Sequence, residues 1–206
     1  MYEFPKLHLY PAFYLKQRNL TILDYQLEGW TQLILDYCRH FKVTLLTIQG
    51  RPKYSQLELD LDRLPLIFEN KTIDRVVTQQ FRQEIFRHMV QKQVAATVTP
   101  GKFDQGIYVY WRSLDEWGEM LYDHAVQTGQ LDTVMTIYEL TSEDLSLPEP
   151  LKQLDQAFLL TIIADLKKKN KVQILKEGGT VAGVKFGSGW RIINTRNFAS
   201  YLPLQI

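Results

Sequence analysis

The chain has 206 residues, 45% of them hydrophobic, a formal net charge of +1 and a single cysteine. That length holds one or two domains, and a near-even split gives two of about 90–100 residues each. The near-zero charge argues against nucleic acid or an anionic membrane surface as main partner; no apolar run approaches the ~20 residues of a membrane span.

Residues 1–20, MYEFPKLHLYPAFYLKQRNL, are dense in aromatics and prolines and lack a helical or alternating period. Proline disfavours helix for its predecessor, so the segment is expected to take an extended, polyproline-like path. Phe4-Pro5-Lys6-Leu7-His8 and Tyr10-Pro11-Ala12-Phe13-Tyr14 each set an aromatic and a proline before further apolar groups. A flexible tail would not carry this much apolar surface. Two readings stay open: the arm packs back on its own domain, or it docks in pockets of another protein. No basic region precedes an apolar core here, so a signal peptide is not expected.

A helix is expected from about Asp24 to Phe41, with Leu27, Trp30, Ile34, Tyr37, Cys38 and Phe41 as its buried stripe. Cys38 within that stripe reads as a reduced core residue, which suits the cytosol. Residues 43–48 are rich in β-branched and aliphatic types and predict a strand. Residues 49–70, with Gly50, Pro52 and Pro65, predict a loop with at most a short helix. Asp60 and Asp62 lie there without a third nearby ligand, so no metal is expected. Residues 72–92 predict helix, broken near Thr78, with Phe81, Ile85, Met89 and Val90 inward. Strands are expected at 94–98 and 107–111, with Pro100-Gly101 and Gly106 in the loop between them. Helix, strand, helix, helix, strand, strand is the order of a winged helix.

The stretch that follows repeats the pattern. Ser113 and Glu116 form a capping box, and Leu114, Trp117, Leu121, Tyr122 and Ala125 recur at helical spacing up to Gly129. Leu27 with Trp30 and Leu114 with Trp117 share an offset of 87 residues, as expected of a duplicated domain. A short strand at 133–135 precedes a second capping box, Thr136 with Glu139. Residues 142–150 predict an acidic loop. Asp155 caps a further helix stapled by Leu154 and Leu159, with Phe158, Leu159, Ile162, Ile163 and Leu166 as its core stripe. Residues 172–176 and 181–186, joined across Gly178-Gly179, predict the hairpin wing. The fold class is therefore α+β, two tandem winged-helix domains. The divisions are an arm at 1–19, winged helices at 20–112 and 113–186, and a C-terminal extension at 187–206. That extension is apolar enough to be ordered, but no motif assigns it.

No catalytic constellation emerges. His8, His40, His88 and His124 lie far apart and none has the spacing of a zinc pair. Asp123 beside His124 invites a dyad, but adjacent helical residues do not face each other, and His124 is expected at the surface. Gly178-Gly179 does not sit between a strand and a helix, as a phosphate loop requires. Neither enzyme activity nor a cofactor is expected. The alternative is a winged-helix DNA-binding transcription factor, with its third helix in the major groove. Arg82, Arg87, His88 and Lys92 stand on that helix of the first domain, but no continuous basic stripe forms, and Lys167-Lys168-Lys169 complement a helix end without DNA.

The aromatic–proline arm, the helix bearing Trp30, the junction 110–118 (YWRSLDEWG), the run 134–141 (VMTIYELT) and Gly183-Val184-Lys185-Phe186 resemble one family. It is the vacuolar protein sorting-associated protein 25 family, the small winged-helix subunit of ESCRT-II, and the resemblance covers about residues 4–186. It implies a scaffold in endosomal sorting to multivesicular bodies, cytoplasmic and recruited to the endosome membrane, with membrane contact only through the complex. Two copies would attach to the two larger winged-helix subunits through the arm. The second winged helix would recruit an ESCRT-III subunit. Carried over, Phe4, Pro5 and Leu7 match the first arm motif, and Tyr10, Pro11, Phe13 and Tyr14 the second. Family members show two consecutive prolines where this chain has Pro5-Lys6 and Pro11-Ala12, and His8 replaces an aromatic, so the second motif is expected to be the stronger anchor. Removing the Phe13 and Tyr14 rings should then weaken assembly and leave the chain folded. The ESCRT-III contact is expected on the second domain's third helix or wing, around Thr161, Asp165 and Lys168.

Overall fold

A computed structural model describes residues 2–55, 60–141, 147–148, 151–152 and 154–187. The extension at 188–206 and most of the acidic loop at 142–150 lie outside the described residues. The chain divides after Arg112 into two compact units. Each combines α-helices with an antiparallel hairpin, the α+β make-up of a winged helix.

The first unit opens with two 3-10 turns, Lys6–Leu9 and Pro11–Tyr14, in place of the extended path expected of the arm. Pro5 stands just before the first turn and Pro11 opens the second. There a fixed φ suits a turn and the missing N–H costs nothing. Helix α1 follows at Leu20–Phe41, capped by the Asn19 side chain, which accepts from the Ile22 N–H at 3.2 Å. It ends at Lys42, whose left-handed backbone returns its N–H to the Cys38 carbonyl. Strands β1 (Val43–Leu46) and β2 (Pro52–Ser55) come next. Then β3 (Glu69–Asn70) and β4 (Arg75–Val76) form a small hairpin. Helix α2 spans Gln79–Gln91, capped by Thr78, and β5 (Ala95–Thr99) and β6 (Lys102–Val109) make the wing. The sheet order is β2-β1-β6-β5, antiparallel throughout.

Three further expectations fail in this unit for local reasons. Residues 72–77 are not helical: Ile73, Val76 and Val77 mimic a helical spacing, but Asp74 adopts a φ of 50° and turns the chain into β3–β4. The expected loop at 49–70 contains β2, an edge strand that can begin with Pro52 because its N–H side need not pair. Gly106 is not in the wing loop; it lies within β6, at a φ of 98°, where a Cβ would collide with the Leu46 carbonyl of β1.

The core gathers Trp30, Leu33, Ile34, Tyr37 and Cys38 from α1, Phe81, Ile85, Phe86 and Met89 from α2, and Leu46, Ile107 and Val109 from the sheet. Leu27 and Phe41 are only half-buried. Their places on the buried stripe go to Leu33 and, one turn before Trp30, to Gln26.

The second unit follows the expected order. It comprises α3 (Leu114–Gln127), β7 (Val134–Thr136), α4 (Ile137–Thr141), α5 (Gln156–Lys168), β8 (Val172–Glu177) and β9 (Thr180–Phe186). Both capping boxes form: Ser113 and Glu116 exchange their bonds at 3.1 and 2.9 Å, and Thr136 and Glu139 at 3.1 and 2.6 Å. Asp155 caps α5 by accepting from the N–H groups of Ala157 and Phe158. Gly178 and Gly179 both carry positive φ, the requirement of a two-residue primed turn, and join β8 to β9. Trp117 is fully buried edge-on against Phe158, as Trp30 is buried in the first unit. His124 is also buried, contrary to expectation. It continues the stripe of Trp117 and Leu121 at helical spacing, whereas Asp123 is exposed.

Candidate partner-docking surfaces

The arm is anchored by its inward side chains. Phe13 stacks on Trp30 at 4.1 Å between ring centroids, with 9° between planes, and is 4% exposed. Tyr14 is 1% exposed and donates its hydroxyl to the His8 carbonyl at 2.9 Å; burial pushes this phenol up to about 12. His8 is buried beneath Phe4, whose ring stacks on it at 4.0 Å. Gln26 clamps the far end: its amide N–H groups donate to the carbonyls of Phe13 at 2.8 Å and Leu15 at 2.9 Å, while its oxygen accepts from the Gln17 N–H. Trp30 adds a bond from its indole N–H to the Phe13 carbonyl at 3.1 Å. Gly29 permits the close seat, because a Cβ there would come within 2.9 Å of Leu7 and 3.3 Å of the Phe13 ring.

The expected site residues therefore separate into two sets. Phe13 and Tyr14 belong to the core of their own unit, so the expectation that they could be removed from a folded chain is corrected: they are structural rings. Phe4 is half-buried, against His8 and near Tyr2 and Tyr37. Pro5, Leu7, Tyr10 and Pro11 face outward, Tyr10 with 61% of its surface exposed. Leu9, Leu15, Leu20, Ile22 and Tyr25 are exposed as well, the last at 76%. A depression of about 300 Å³ runs between the arm and the first turns of α1, lined by Leu7, Tyr10, Ala12, Phe13, Ile22 and Tyr25 among others. The sequence reading missed the α1 contribution. Its only signal was apolar residues at 20, 22 and 25 lying off the phase of the Trp30 stripe.

On the second unit, the three residues expected on α5 do not act together. The Thr161 hydroxyl donates to the Ala157 carbonyl at 3.0 Å. Asp165 pairs with Lys169 at 2.8 Å, and Lys169 also pairs with Asp115 at the start of α3. Only Lys168 lines the groove between α5 and the wing, a space of about 630 Å³ with Leu160, Ala164, Ile174 and Val181 as its apolar wall and Lys167, Lys168 and Lys176 at its rim. No group of three or more His, Cys, Asp or Glu residues is placed to hold a metal among the described residues. No described helix is long and apolar enough to cross a membrane.

The cations of α2 are largely engaged within the first unit. Glu28 of α1 meets Lys92 at 3.0 Å and His88 at 3.4 Å, and these bonds, Lys92's first, hold its carboxyl below the usual range. Arg82 donates to the Val77 carbonyl and lies over Phe68, and Arg87 lies over Phe103.

An aromatic arm anchored on the first of two winged-helix units, with apolar side chains displayed beside it, defines a tandem winged-helix protein. A family model for ESCRT-II complex subunits matches residues 7–155, and the chain belongs to that family. It is 29% identical over 185 residues to vacuolar protein-sorting-associated protein 25 of Xenopus laevis, covering 90% of this chain and 98% of that relative. The corresponding human protein is 28% identical over 188 residues, covering 90% and 97%. Among solved structures, the VPS25 subunit of ESCRT-II superposes with a TM-score of 0.70 at 22% identity, over 88% of this chain and 97% of that one. A chain of the VPS22/VPS25/VPS36 complex superposes with a TM-score of 0.71 at 22% identity, over 88% and 97%.

Proposed function

We propose that this chain is a non-enzymatic adaptor subunit of an ESCRT-II complex, acting in endosomal sorting to multivesicular bodies from the cytoplasmic face of the endosome. Its first unit docks on two larger winged-helix subunits, and two copies of the chain serve each complex. Its second unit offers the α5–wing groove to an ESCRT-III subunit. The observation that carries the reading is the division of the arm: His8, Phe13 and Tyr14 are spent on holding it, while Leu7, Tyr10 and Pro11 are displayed to solvent beside Ile22 and Tyr25. Burying a displayed aromatic or leucine side chain contributes about 1.5–3 kcal/mol before ordering costs. An arm already held in place loses little further entropy on docking.

Pro5, Leu7, Tyr10 and Pro11 make the contact, Phe4 supports it from a half-buried seat, and Phe13 and Tyr14 set its position. On the second unit, Lys168 contributes from the groove rim, and Thr161 and Asp165 flank it. DNA binding is less well supported, because Lys92, Arg82 and Arg87 already have partners inside the first unit. A pull-down with the two larger subunits tests the proposal: chains carrying Leu7→Ala with Tyr10→Ala should lose co-purification. Retained co-purification would remove the arm from the interface. For the second unit, Lys168→Glu should weaken ESCRT-III capture in a binding titration, and unchanged capture would exclude the groove.

A further inference from the structure

His8 occupies a seat in which its proton count is dictated by its neighbours. One ring nitrogen, Nε2, lies 3.0 Å from the Ile67 carbonyl oxygen, which can only accept, so Nε2 carries a hydrogen. The other, Nδ1, lies 3.3 Å from the Asn70 side-chain nitrogen. That amide cannot be turned to present its oxygen instead. Asn70 Oδ1 is held by the Thr72 N–H at 3.0 Å, and the same Asn70 nitrogen donates to the His8 carbonyl at 2.8 Å. Nδ1 must therefore accept. The seat fits the neutral imidazole and no other form, since a hydrogen on Nδ1 would point at an N–H donor. The ring is also buried, stacked against Phe4 and flanked edge-on by Tyr14 and Trp30.

The charged and titratable groups on the elements packed around the ring do not offset this. On the arm, Tyr14 stays protonated far above neutrality, and Glu3 and Lys6 are exposed. On α1, Tyr37 is likewise pushed up, Glu28 is engaged by Lys92 and His88, and Asp36 by Arg39. On β3 and β4, Glu69 acts on Arg82, and Arg75 bonds the Asp74 carbonyl. The ring's own hydrogen-bond partners, Ile67 and Asn70, are neutral.

We propose that His8 is a pH-sensitive latch on the arm: neutral, it locks residues 2–10 onto the first unit, and protonation of Nδ1 releases them, while Phe13 and Tyr14 stay seated on Trp30. The latch does not depend on what docks on the arm. Burial holds the ring below its ordinary value of 6.5, in keeping with the geometry. The latch is complete above 6.5 and is lost as pH falls from there through the folded-state value, by up to about tenfold per pH unit.

The test is an NMR titration of the full chain, following the His8 ring and amide hydrogen exchange of residues 2–10 together. Below pH 6.5 the arm amides should lose protection as the ring titrates, while amides of α1 and α2 keep theirs. A ring that titrates at or above 6.5, or an arm that stays protected through the ring's titration, overturns the proposal. The Asn70→Asp chain adds a readout that simple loosening cannot imitate. A carboxylate facing Nδ1 accepts from the imidazolium, so the ring's pKa should rise above 6.5 and arm protection should increase on acidification. An acid-induced loss identical to that of the unmodified chain contradicts the latch.

Discussion

Phe13 and Tyr10 stand three residues apart in one arm and serve opposite ends. Phe13 is stacked on Trp30 and Tyr10 is exposed, although both belong to the same aromatic–proline motif. Phe13→Ala should destabilise the first unit by about 3–5 kcal/mol, the range for truncating a buried phenylalanine, read as a shifted denaturant midpoint. Tyr10→Ala should leave that midpoint within about 0.5 kcal/mol. The motif was legible in the sequence but the division was not, because which ring turns inward is decided by Gln26 and Asn70, polar residues distant in sequence that bond the arm's carbonyls. Gln26 left one trace, a polar residue in phase with Trp30, Leu33 and Tyr37. His124 was misplaced by attention to its neighbour Asp123 rather than to its own helical phase. It is buried, with no hydrogen-bond partner for Nε2 among the described residues, and burial lowers its pKa. The second unit holds the neutral form, so His124 contributes fully above 6.5 and progressively less as pH falls through the folded-state value. His124→Leu should therefore flatten the loss of that unit's stability between pH 7.5 and 5, checked by urea unfolding at both values.

Among the elements, those defined by their own residues were legible: α3, with its capping box and its stripe of Trp117 and Leu121, and the hairpin β8–β9, turned by two glycines of positive φ. Ser113→Ala should cost about 1 kcal/mol, measured as the second unit's unfolding midpoint, because it frees the Glu116 N–H at a helix start. Elements defined by tertiary pairing were not legible. Strand β2 is short, polar at Lys53 and Ser55, and begins at a proline; it exists because β1 has an open edge beside it. The β3–β4 hairpin hid behind a helical spacing that Asp74 breaks. The helix α5 was placed correctly, but its expected site residues were grouped by spacing alone. Asp165 is held by Lys169, which Asp115 of α3 also engages, and only Lys168 turns to the groove.

At the scale of the whole chain, the proposed function rests on contact with other proteins. Each unit buries its own tryptophan and leaves a different apolar surface, the arm–α1 ridge on one and the α5–wing groove on the other. In the proposed function, an assembly would hold its subunit at one of these surfaces and the other would raise the effective concentration of a recruited protein. The duplicated pattern around Trp30 and Trp117 supplied this plan, while the family relationship supplied the setting. The most direct measurement is reconstitution with the two larger ESCRT-II subunits, comparing the unmodified chain with one carrying Leu7→Ala and Tyr10→Ala. The account predicts an unchanged unfolding midpoint and an affinity at least about tenfold weaker, equivalent to about 1.4 kcal/mol. Full-strength assembly by the substituted chain would contradict it.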